Sequence, residues 1–97
     1  MATEFEWDTE KADINLAKHG VAFEDASRVF FDPLMLFEPD RIDEGEQRWR
    51  AIGRMKESVL LVVIHVIREY DGTESIRIIS ARKAERKERR LYEEANG

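Results

Sequence analysis

The segment from residue 82 to residue 90 is unusually rich in cationic side chains. Lysine and arginine fill six of its nine positions: Arg82, Lys83, Arg86, Lys87, Arg89 and Arg90. Guanidinium groups donate paired hydrogen bonds to phosphate oxygens, and neutralising a phosphate releases counterions from a nucleic acid. The segment therefore favours contact with a phosphodiester backbone. A solvent-exposed helix stabilised by Glu–Arg pairs one turn apart has the same composition, so both interpretations are open at this point.

Further arginines fall on segments that alternate apolar and polar residues as strands do: Arg48, Arg50, Arg54 and Arg77. Alternate residues of a strand project from the same face, so we expect the first three to share one face. If the neighbouring strands align, these side chains form a basic wall beside the cationic segment. A register shift of one residue would instead turn them to the opposite face of the sheet.

The two histidines, His19 and His65, have different surroundings in the sequence. His19 ends a predicted helix, whose carboxyl end stabilises an imidazolium, so it either caps that helix or serves as a general acid or base. His65 shares a predicted strand face with Leu61 and Val63, which favours a hydrogen-bonded core residue. The sequence has no Ser/His/Asp triad, glycine-rich phosphate loop or metal-ligand spacing, so we expect neither a metal nor a cofactor.

The elements that must position these side chains follow one another without a repeat or a linker. Periodicity predicts a strand at 5–7, a helix between Asp8 and Gly20, and a second helix from Phe23 to 32–33. Strands are predicted at 34–37, 48–55, 58–68 and 75–79, with an acidic loop at 38–47 and a turn at 71–72.

A last helix is predicted at 81–95, where Ser80 can cap its first turn. On a helical wheel its residues divide into a cationic stripe of Arg82, Arg86 and Arg89 and an apolar seam of Ala84, Leu91 and Ala95. The complete order is β-α-α-β-β-β-β-α. It predicts a single α+β domain over residues 1–97, in which helices pack an antiparallel sheet.

Composition and charge exclude several classes of protein. The 97 residues contain no cysteine, which excludes a disulfide framework, and two histidines cannot complete a Cys/His zinc site. Neither a signal peptide nor a membrane-spanning segment is visible, so we expect a soluble protein of the cytoplasm. The net charge of −5 is uneven: residues 1–47 carry −9 and residues 48–97 carry +4. A locally basic surface is therefore compatible with an acidic total.

Motifs spread over residues 5–93 resemble those of the BrnT family of type II toxins. The resemblance rests on Phe5-Glu6-Trp7-Asp8, Lys18-His19-Gly20-Val21, Asp32-Pro33, Ile52-Gly53, Arg77-Ile78-Ile79-Ser80-Ala81-Arg82, Glu88-Arg89 and Tyr92. The Lys-His-Gly and Ile-Ile-Ser-Ala-Arg motifs at this separation are specific in so short a chain. One position departs from the family pattern, because Gln47 stands where a second glutamate is common, and a carboxylate role there is not expected.

The resemblance implies a bacterial ribonuclease toxin with a RelE-like fold that cuts RNA without a metal and inhibits translation. It also implies neutralisation by a BrnA-type antitoxin in a hetero-oligomer. Such antitoxins bind operator DNA, so the toxin would contact DNA only indirectly. The alternative is a non-enzymatic degenerate toxin or interaction module that keeps only the antitoxin-binding surface. A DNA-binding repressor is disfavoured, because no helix-turn-helix presents a basic recognition helix.

RNA can be cut by its own 2′-hydroxyl, which needs a proton acceptor, charge neutralisation at the phosphoryl oxygens and a proton donor. We expect Arg77, Arg82 and Arg89 to neutralise charge, and His19, Glu88 and Tyr92 are the candidates for proton transfer. The alternative role for Glu88 is an ion pair that orients Arg89 or an arginine of the sheet. The predicted catalytic set is His19, Arg77, Arg82, Glu88, Arg89 and Tyr92. The predicted RNA-binding set is Arg48, Arg50, Arg54, Lys83 and Arg86.

Overall fold

The computed structural model describes residues 2–97, and Met1 lies outside the described residues. The first strand, β1, covers Ala2–Glu6, and the first helix, α1, covers Thr9–His19. The carboxylate of Asp8 caps α1 by accepting hydrogen bonds from the backbone N–H groups of Glu10 and Lys11, at 2.9 and 3.1 Å. Gly20 ends the helix with φ +71° and donates its N–H to the Leu16 carbonyl. Both predicted caps are confirmed.

The second predicted helix is divided in two. An α-helix, α2, covers Phe23–Ser27, and a 3₁₀ turn continues it over Arg28–Phe31. The chain then leaves the helical conformation at Asp32, as expected before a proline. Phe23, Ala26 and Val29 from this segment are fully buried against the sheet.

Four strands follow: β2 at Leu36–Asp43, β3 at Glu46–Lys56, β4 at Val59–Tyr70 and β5 at Thr73–Lys83. The predicted acidic loop at 38–47 is wrong, because β2 continues through Asp43 and only Glu44 and Gly45 form a turn. Cross-strand pairing explains the difference. Glu38 lies opposite Arg50 in the register, so an ion pair stabilises an acidic residue within the ladder.

The sheet has the order β1-β5-β4-β3-β2. Strands β2 to β5 form the predicted antiparallel meander, with Asp71 and Gly72 at positive φ in its last turn. β1 pairs with β5 in parallel, which the sequence did not predict, and aligns Phe5 with Ile76 and Glu6 with Arg77. The helices α1 and α2 lie in the connection between β1 and the meander. The result is the single compact α+β domain that the element order predicts.

The two faces of the sheet bury different clusters. On one face α1, α2 and the 3₁₀ turn cover the main core, which consists of Val21, Phe23, Ala26, Val29, Ala51, Leu61, Val63, Ile78 and Ala81. On the other face a smaller cluster joins Ile52, Leu60 and Val62 to Tyr92 of the last helix. This helix covers only one end of its face, and the strand residues Arg50, Ile64 and Ser80 beyond it are half-buried.

The prediction for the last helix is wrong at its start. The strand β5 continues through Lys83, and the helix, α3, covers only Arg86–Asn96. Glu85 caps it, in a reciprocal capping box with Glu88, so Ser80 is not the cap. The predicted stripe and seam are therefore wrong. Arg82 belongs to a strand, and Tyr92 faces the sheet, whereas Leu91 is 44% exposed.

Long-range pairing explains this difference, because Val62 pairs with Arg82 and Leu61 with Lys83. Residues 81–83 locally favour a helix, but these ladder contacts with β4 keep them in a strand.

Within residues 2–97, no helix is both long and apolar enough to cross a membrane.

Candidate functional site

The sheet face that α1 and α2 leave uncovered is lined by arginines from three adjacent strands. Alternation and register place these residues together: Arg48 and Arg50 on β3, Arg68 on β4, and Arg77 and Arg82 on β5. Ile64 and Ser80 lie beside Arg50 in the same row across the strands. We call this surface the arginine face. The alternation along β3 predicted that Arg48 and Arg50 share this face. The pairing of β3 with β4 and of β4 with β5 determines which other side chains lie beside them.

Each member of the arginine face has a carboxylate partner. The salt bridges are Arg48–Asp43 at 2.7 Å, Arg50–Glu38 at 2.6 Å, Arg68–Glu46 at 3.0 Å, Arg77–Glu6 at 3.8 Å and Arg82–Glu88 at 2.7 Å. Four of the carboxylates are exposed, and such ion pairs contribute only about 0–1 kcal/mol, whereas Glu88 is mostly covered and pairs with Arg82 in bidentate geometry. A phosphate group can therefore replace the four exposed carboxylates at little cost in stability.

The strongest of these pairs joins β5 to α3. Arg82 donates two hydrogen bonds to Glu88, from Nη1 to Oε1 and from Nη2 to Oε2, each 2.7 Å long. Glu88 Oε1 also accepts the backbone N–H of Glu85 at 2.8 Å. The bonds from Arg82 lower the pKa of Glu88 against the opposing effect of burial, and Glu88 raises the pKa of Arg82 in return. Glu88 is thus ionised at neutral pH and fixes the orientation of the guanidinium.

An open cavity lies on the arginine face. Its volume is about 590 Å³, and its lining comprises Pro39, Asp40, Arg41, Arg48, Arg50, Ile64 and Ser80. Arg82 lies on the same face two residues from Ser80, since Val62 pairs with Arg82 and Ile64 pairs with Ser80, so the Arg82–Glu88 pair adjoins this lining. The cavity combines guanidinium groups, a hydroxyl and an apolar floor at Ile64. Such a surface can hold a phosphate and the ribose or base attached to it.

Three residues of the predicted sites do not line this cavity, and their hydrogen bonds go to other parts of the chain. Arg89 donates from both terminal nitrogens to the Ser58 carbonyl at 3.2 Å, which ties α3 to the turn between β3 and β4. Tyr92 is 3% exposed and donates to Asp32 Oδ2 at 2.7 Å. Arg54 donates its backbone N–H to the same Asp32 oxygen at 2.7 Å.

The hydrogen bonds around Asp32 set two pKa values. Burial raises the pKa of Asp32, but the bonds from Tyr92, Arg54 and Leu34 outweigh it and leave that pKa below its ordinary value. Burial and the bond to Asp32 raise the pKa of Tyr92, which therefore stays protonated at neutral pH. The sequence pattern alone assigns no role to Asp32. Its position before Pro33 at a helix end was the sequence feature that could have drawn attention to Asp32.

None of the remaining predicted residues lines the cavity, and Lys83 alternates with Arg82 and therefore projects from the opposite face of the sheet. His19 is exposed in the last turn of α1 and lines a smaller concavity that also contains Ser80. Lys83 is exposed at the end of β5, and Arg86 is exposed at the start of α3. Arg68, which no sequence pattern indicated, donates two hydrogen bonds to Glu46 on the arginine face.

His65 is a core residue, as predicted. It is fully buried, and the rings of Phe30 and Phe37 lie edge-on to it at 4.7 and 5.3 Å. Burial lowers its pKa to about 4, so the imidazole is neutral at pH 7. Its Nδ1 lies 3.3 Å from the Val63 carbonyl, and its Nε2 has no hydrogen-bond partner among the described residues.

Among residues 2–97 no group of three metal-ligating side chains is present.

Comparison with known proteins identifies the family to which this chain belongs. A family model described as the ribonuclease toxin, BrnT, of type II toxin-antitoxin systems matches residues 7–88. The chain therefore belongs to the BrnT family of ribonuclease toxins, and a family of this type implies an antitoxin partner.

A solved structure agrees with this assignment. The crystal structure of the Brucella abortus ribonuclease toxin BrnT matches with a TM-score of 0.64 and 25% sequence identity. The match covers 89% of this chain and 100% of the Brucella chain. No curated protein matches the chain.

Proposed function

We propose that this protein is an endoribonuclease that cleaves RNA without a metal ion, at the cavity of the arginine face, and thereby inhibits translation. The observation that carries the proposal is the Arg82–Glu88 pair, a rigid guanidinium and an ionised carboxylate beside a cavity lined by Arg48 and Arg50. Family membership supports the ribonuclease activity. The fold is proposed to be of the RelE-like kind.

The proposed reaction is an internal displacement within the RNA. The 2′-oxygen forms a bond to the adjacent phosphorus, the bond from phosphorus to the 5′-oxygen breaks, and a 2′,3′-cyclic phosphate and a 5′-hydroxyl result. One proton leaves the 2′-hydroxyl, and another reaches the departing 5′-oxygen. Arg82 and Arg77 stabilise the negative charge that gathers on the phosphoryl oxygens, which is often the largest contribution to catalysis.

The Arg82–Glu88 pair suggests how substrate binding supplies the proton acceptor. A phosphate that binds the guanidinium of Arg82 competes with Glu88 for the same N–H donors. Displacement frees an ionised carboxylate beside the reacting group, and Glu88 then accepts the 2′-hydroxyl proton. His19, across Ser80 from the cavity, is the candidate donor to the 5′-oxygen.

The contacts of the remaining predicted residues support a narrower assignment. Arg48 and Arg50 bind the phosphate backbone. Arg86 at the exposed start of α3 extends this surface, whereas Lys83 alternates with Arg82 and projects from the opposite face of the sheet. Arg54, Arg89 and Tyr92 are proposed to stabilise the packing of α3, because their hydrogen bonds go to Asp32 and Ser58.

The partner that we propose is a BrnA-type antitoxin, bound in a hetero-oligomer. An antitoxin segment that covers the cavity would neutralise the enzyme by excluding RNA. An acidic segment fits this surface, since its carboxylates can exchange with those that already pair with the arginines. Contact with operator DNA would then be made by the antitoxin.

The test is cleavage of a labelled single-stranded RNA by the purified protein in EDTA. We expect a product that ends in a 2′,3′-cyclic phosphate, and no cleavage of an otherwise identical strand that carries 2′-deoxyribose throughout. Arg82→Ala should reduce the rate by about 10²–10³-fold. The matched control Arg28→Ala removes a charge from the 3₁₀ turn and should leave the rate unchanged.

Two results would contradict the proposal. A wild-type protein that cuts RNA only when divalent metal is added would overturn metal independence. A folded wild-type protein that cuts neither free RNA nor RNA on ribosomes would favour the alternative, an interaction module that keeps only the antitoxin-binding surface.

A further inference from the structure

A second concavity meets the arginine-lined cavity at Ser80. Its volume is about 190 Å³, and it is lined by Lys11, Ile14, Asn15, Lys18, His19, Ile79 and Ser80. Ser80 lines both concavities, with Arg48 and Arg50 on one side of it and the lysines of α1 on the other. The two concavities together form a continuous surface across the edge of β5.

The spacing along α1 directs the lysines to this surface. Lys11, Asn15 and Lys18 stand at positions i, i+4 and i+7 of the helix and therefore share one side. Asn15 fixes that side against β5. Its Nδ2 donates to the Ala81 carbonyl at 2.8 Å, and its Oδ1 accepts the Ala81 N–H at 3.1 Å. A buried amide thus holds the row of lysines one residue from Ser80.

The two concavities differ in whether their cationic side chains already have carboxylate partners. The arginines of the sheet already have carboxylate partners, whereas the described residues that line the second concavity include no acidic side chain. Within residues 2–97, neither Lys11 nor Lys18 forms a salt bridge. Both lysines are exposed, in a chain whose net charge is −5. An anionic ligand would therefore neutralise the positive charge of Lys11 and Lys18.

We propose that the second concavity binds the RNA strand where it continues beyond the cleavage site. Lys11 and Lys18 contact backbone phosphates next to the one at the arginine face, and Ser80 lies between the two positions. Ile14, which is 59% exposed, offers an apolar contact to a ribose or base. The inference rests on the proposed function, and it assigns to α1 a role in holding the substrate.

Binding of a single-stranded 2′-O-methyl RNA tests this subsite, because that strand lacks the hydroxyl needed for cleavage. Its affinity is measured over a fourfold rise in salt concentration, for the wild type and for Lys11→Ala/Lys18→Ala. Each lost phosphate contact should reduce the salt slope by about 0.7, so the double variant should lose about 1.4. The wild-type affinity should therefore fall about sevenfold more over this range than the affinity of the variant.

Two control variants separate the subsite from a general effect of charge. Arg28→Ala/Lys56→Ala removes the same charge from a different concavity and should keep the wild-type slope. Lys11→Arg/Lys18→Arg retains both charges and should also keep it.

The outcomes distinguish this inference from the proposed function. An unchanged slope in Lys11→Ala/Lys18→Ala, or an equal loss in Arg28→Ala/Lys56→Ala, overturns the subsite while cleavage by the wild type remains. A wild-type protein that neither binds nor cleaves RNA overturns the proposed function and the subsite together.

Discussion

Glu88 of α3 holds Arg82 of β5 through two parallel hydrogen bonds of 2.7 Å. The pair joins the last helix to the last strand and lies beside the cavity of the arginine face. The side chain of Glu88 is 13% exposed and that of Arg82 is 35% exposed, so the carboxylate is mostly covered while the guanidinium still reaches solvent. The geometry leaves Arg82 oriented and accessible, which is what binding of a phosphate requires.

Replacing Glu88 tests this relationship. We expect Glu88→Gln to reduce the rate of RNA cleavage by about 10²–10⁴-fold, because it removes the proposed proton acceptor and loosens Arg82. The matched control Glu93→Gln changes an exposed glutamate of the same helix and should leave the rate unchanged. Single-turnover cleavage with thermal unfolding as a check on folding provides the measurement. A Glu88→Gln enzyme of full activity would leave the carboxylate with a structural role only.

The arginines of β3 should control the salt dependence of RNA binding. Arg48→Gln and Arg50→Gln each remove one proposed phosphate contact, so each should reduce the salt slope for single-stranded RNA by about 0.7. Fluorescence anisotropy at several salt concentrations measures this slope. A slope that stays at the wild-type value would mean that these arginines serve only to pair with Asp43 and Glu38.

Tyr92 should affect stability and leave catalysis intact. Tyr92→Phe removes the hydrogen bond to ionised Asp32, and bonds to charged groups contribute about 1.5–3 kcal/mol. We expect the free energy of unfolding to fall by that amount in urea titrations, with an unchanged rate of RNA cleavage per folded molecule. If stability were unaffected and cleavage were lost, Tyr92 would belong to the catalytic set that the sequence suggested.

His65 should make stability depend on pH in a defined window. Its pKa is about 4 in the folded protein against an ordinary 6.5, so the unfolded chain binds more protons between these values. The stabilisation that the neutral imidazole of His65 provides is therefore fully present above pH 6.5 and is lost as the pH falls towards 4. A pKa shift of this size corresponds to a change of about 3 kcal/mol in the free energy of unfolding.

The variant His65→Phe keeps an aromatic ring between Phe30 and Phe37 but cannot titrate. Urea unfolding of both proteins at pH 7 and pH 4.5 should show a smaller loss of stability for the variant. Parallel losses in the two proteins would refute a buried, neutral histidine.

Much of the fold could be predicted because its signals are local. Asp8 and Gly20 carry the chemistry of a helix start and a helix end within a few residues of where they act. Asp71 and Gly72 tolerate the positive φ of a tight hairpin turn, and the alternation along β3 indicated that Arg48 and Arg50 share a face. The family resemblance is likewise a property of the sequence, and the match over residues 7–88 confirms it.

The errors fall where distant residues compete with local preference. Residues 81–83 favour a helix by composition, but pairing with 61–63 of β4 keeps them in β5 and moves the helix start to Arg86. The acidic stretch at 38–43 becomes a strand for the same reason, since Arg50 of β3 neutralises Glu38. The parallel pairing of β1 with β5 joins residues about seventy positions apart, which no local pattern encodes.

The sequence by itself determined the order of the elements, the caps and turns, the burial of His65 and the excess of cations in the second half of the chain. Only the tertiary structure decided which carboxylate neutralises each arginine, that Arg89 and Tyr92 bond to Ser58 and Asp32, and that Ser80 lines two concavities. The physical reason is that a side chain acquires its partners from strands and helices packed beside it, and these come from remote parts of the chain.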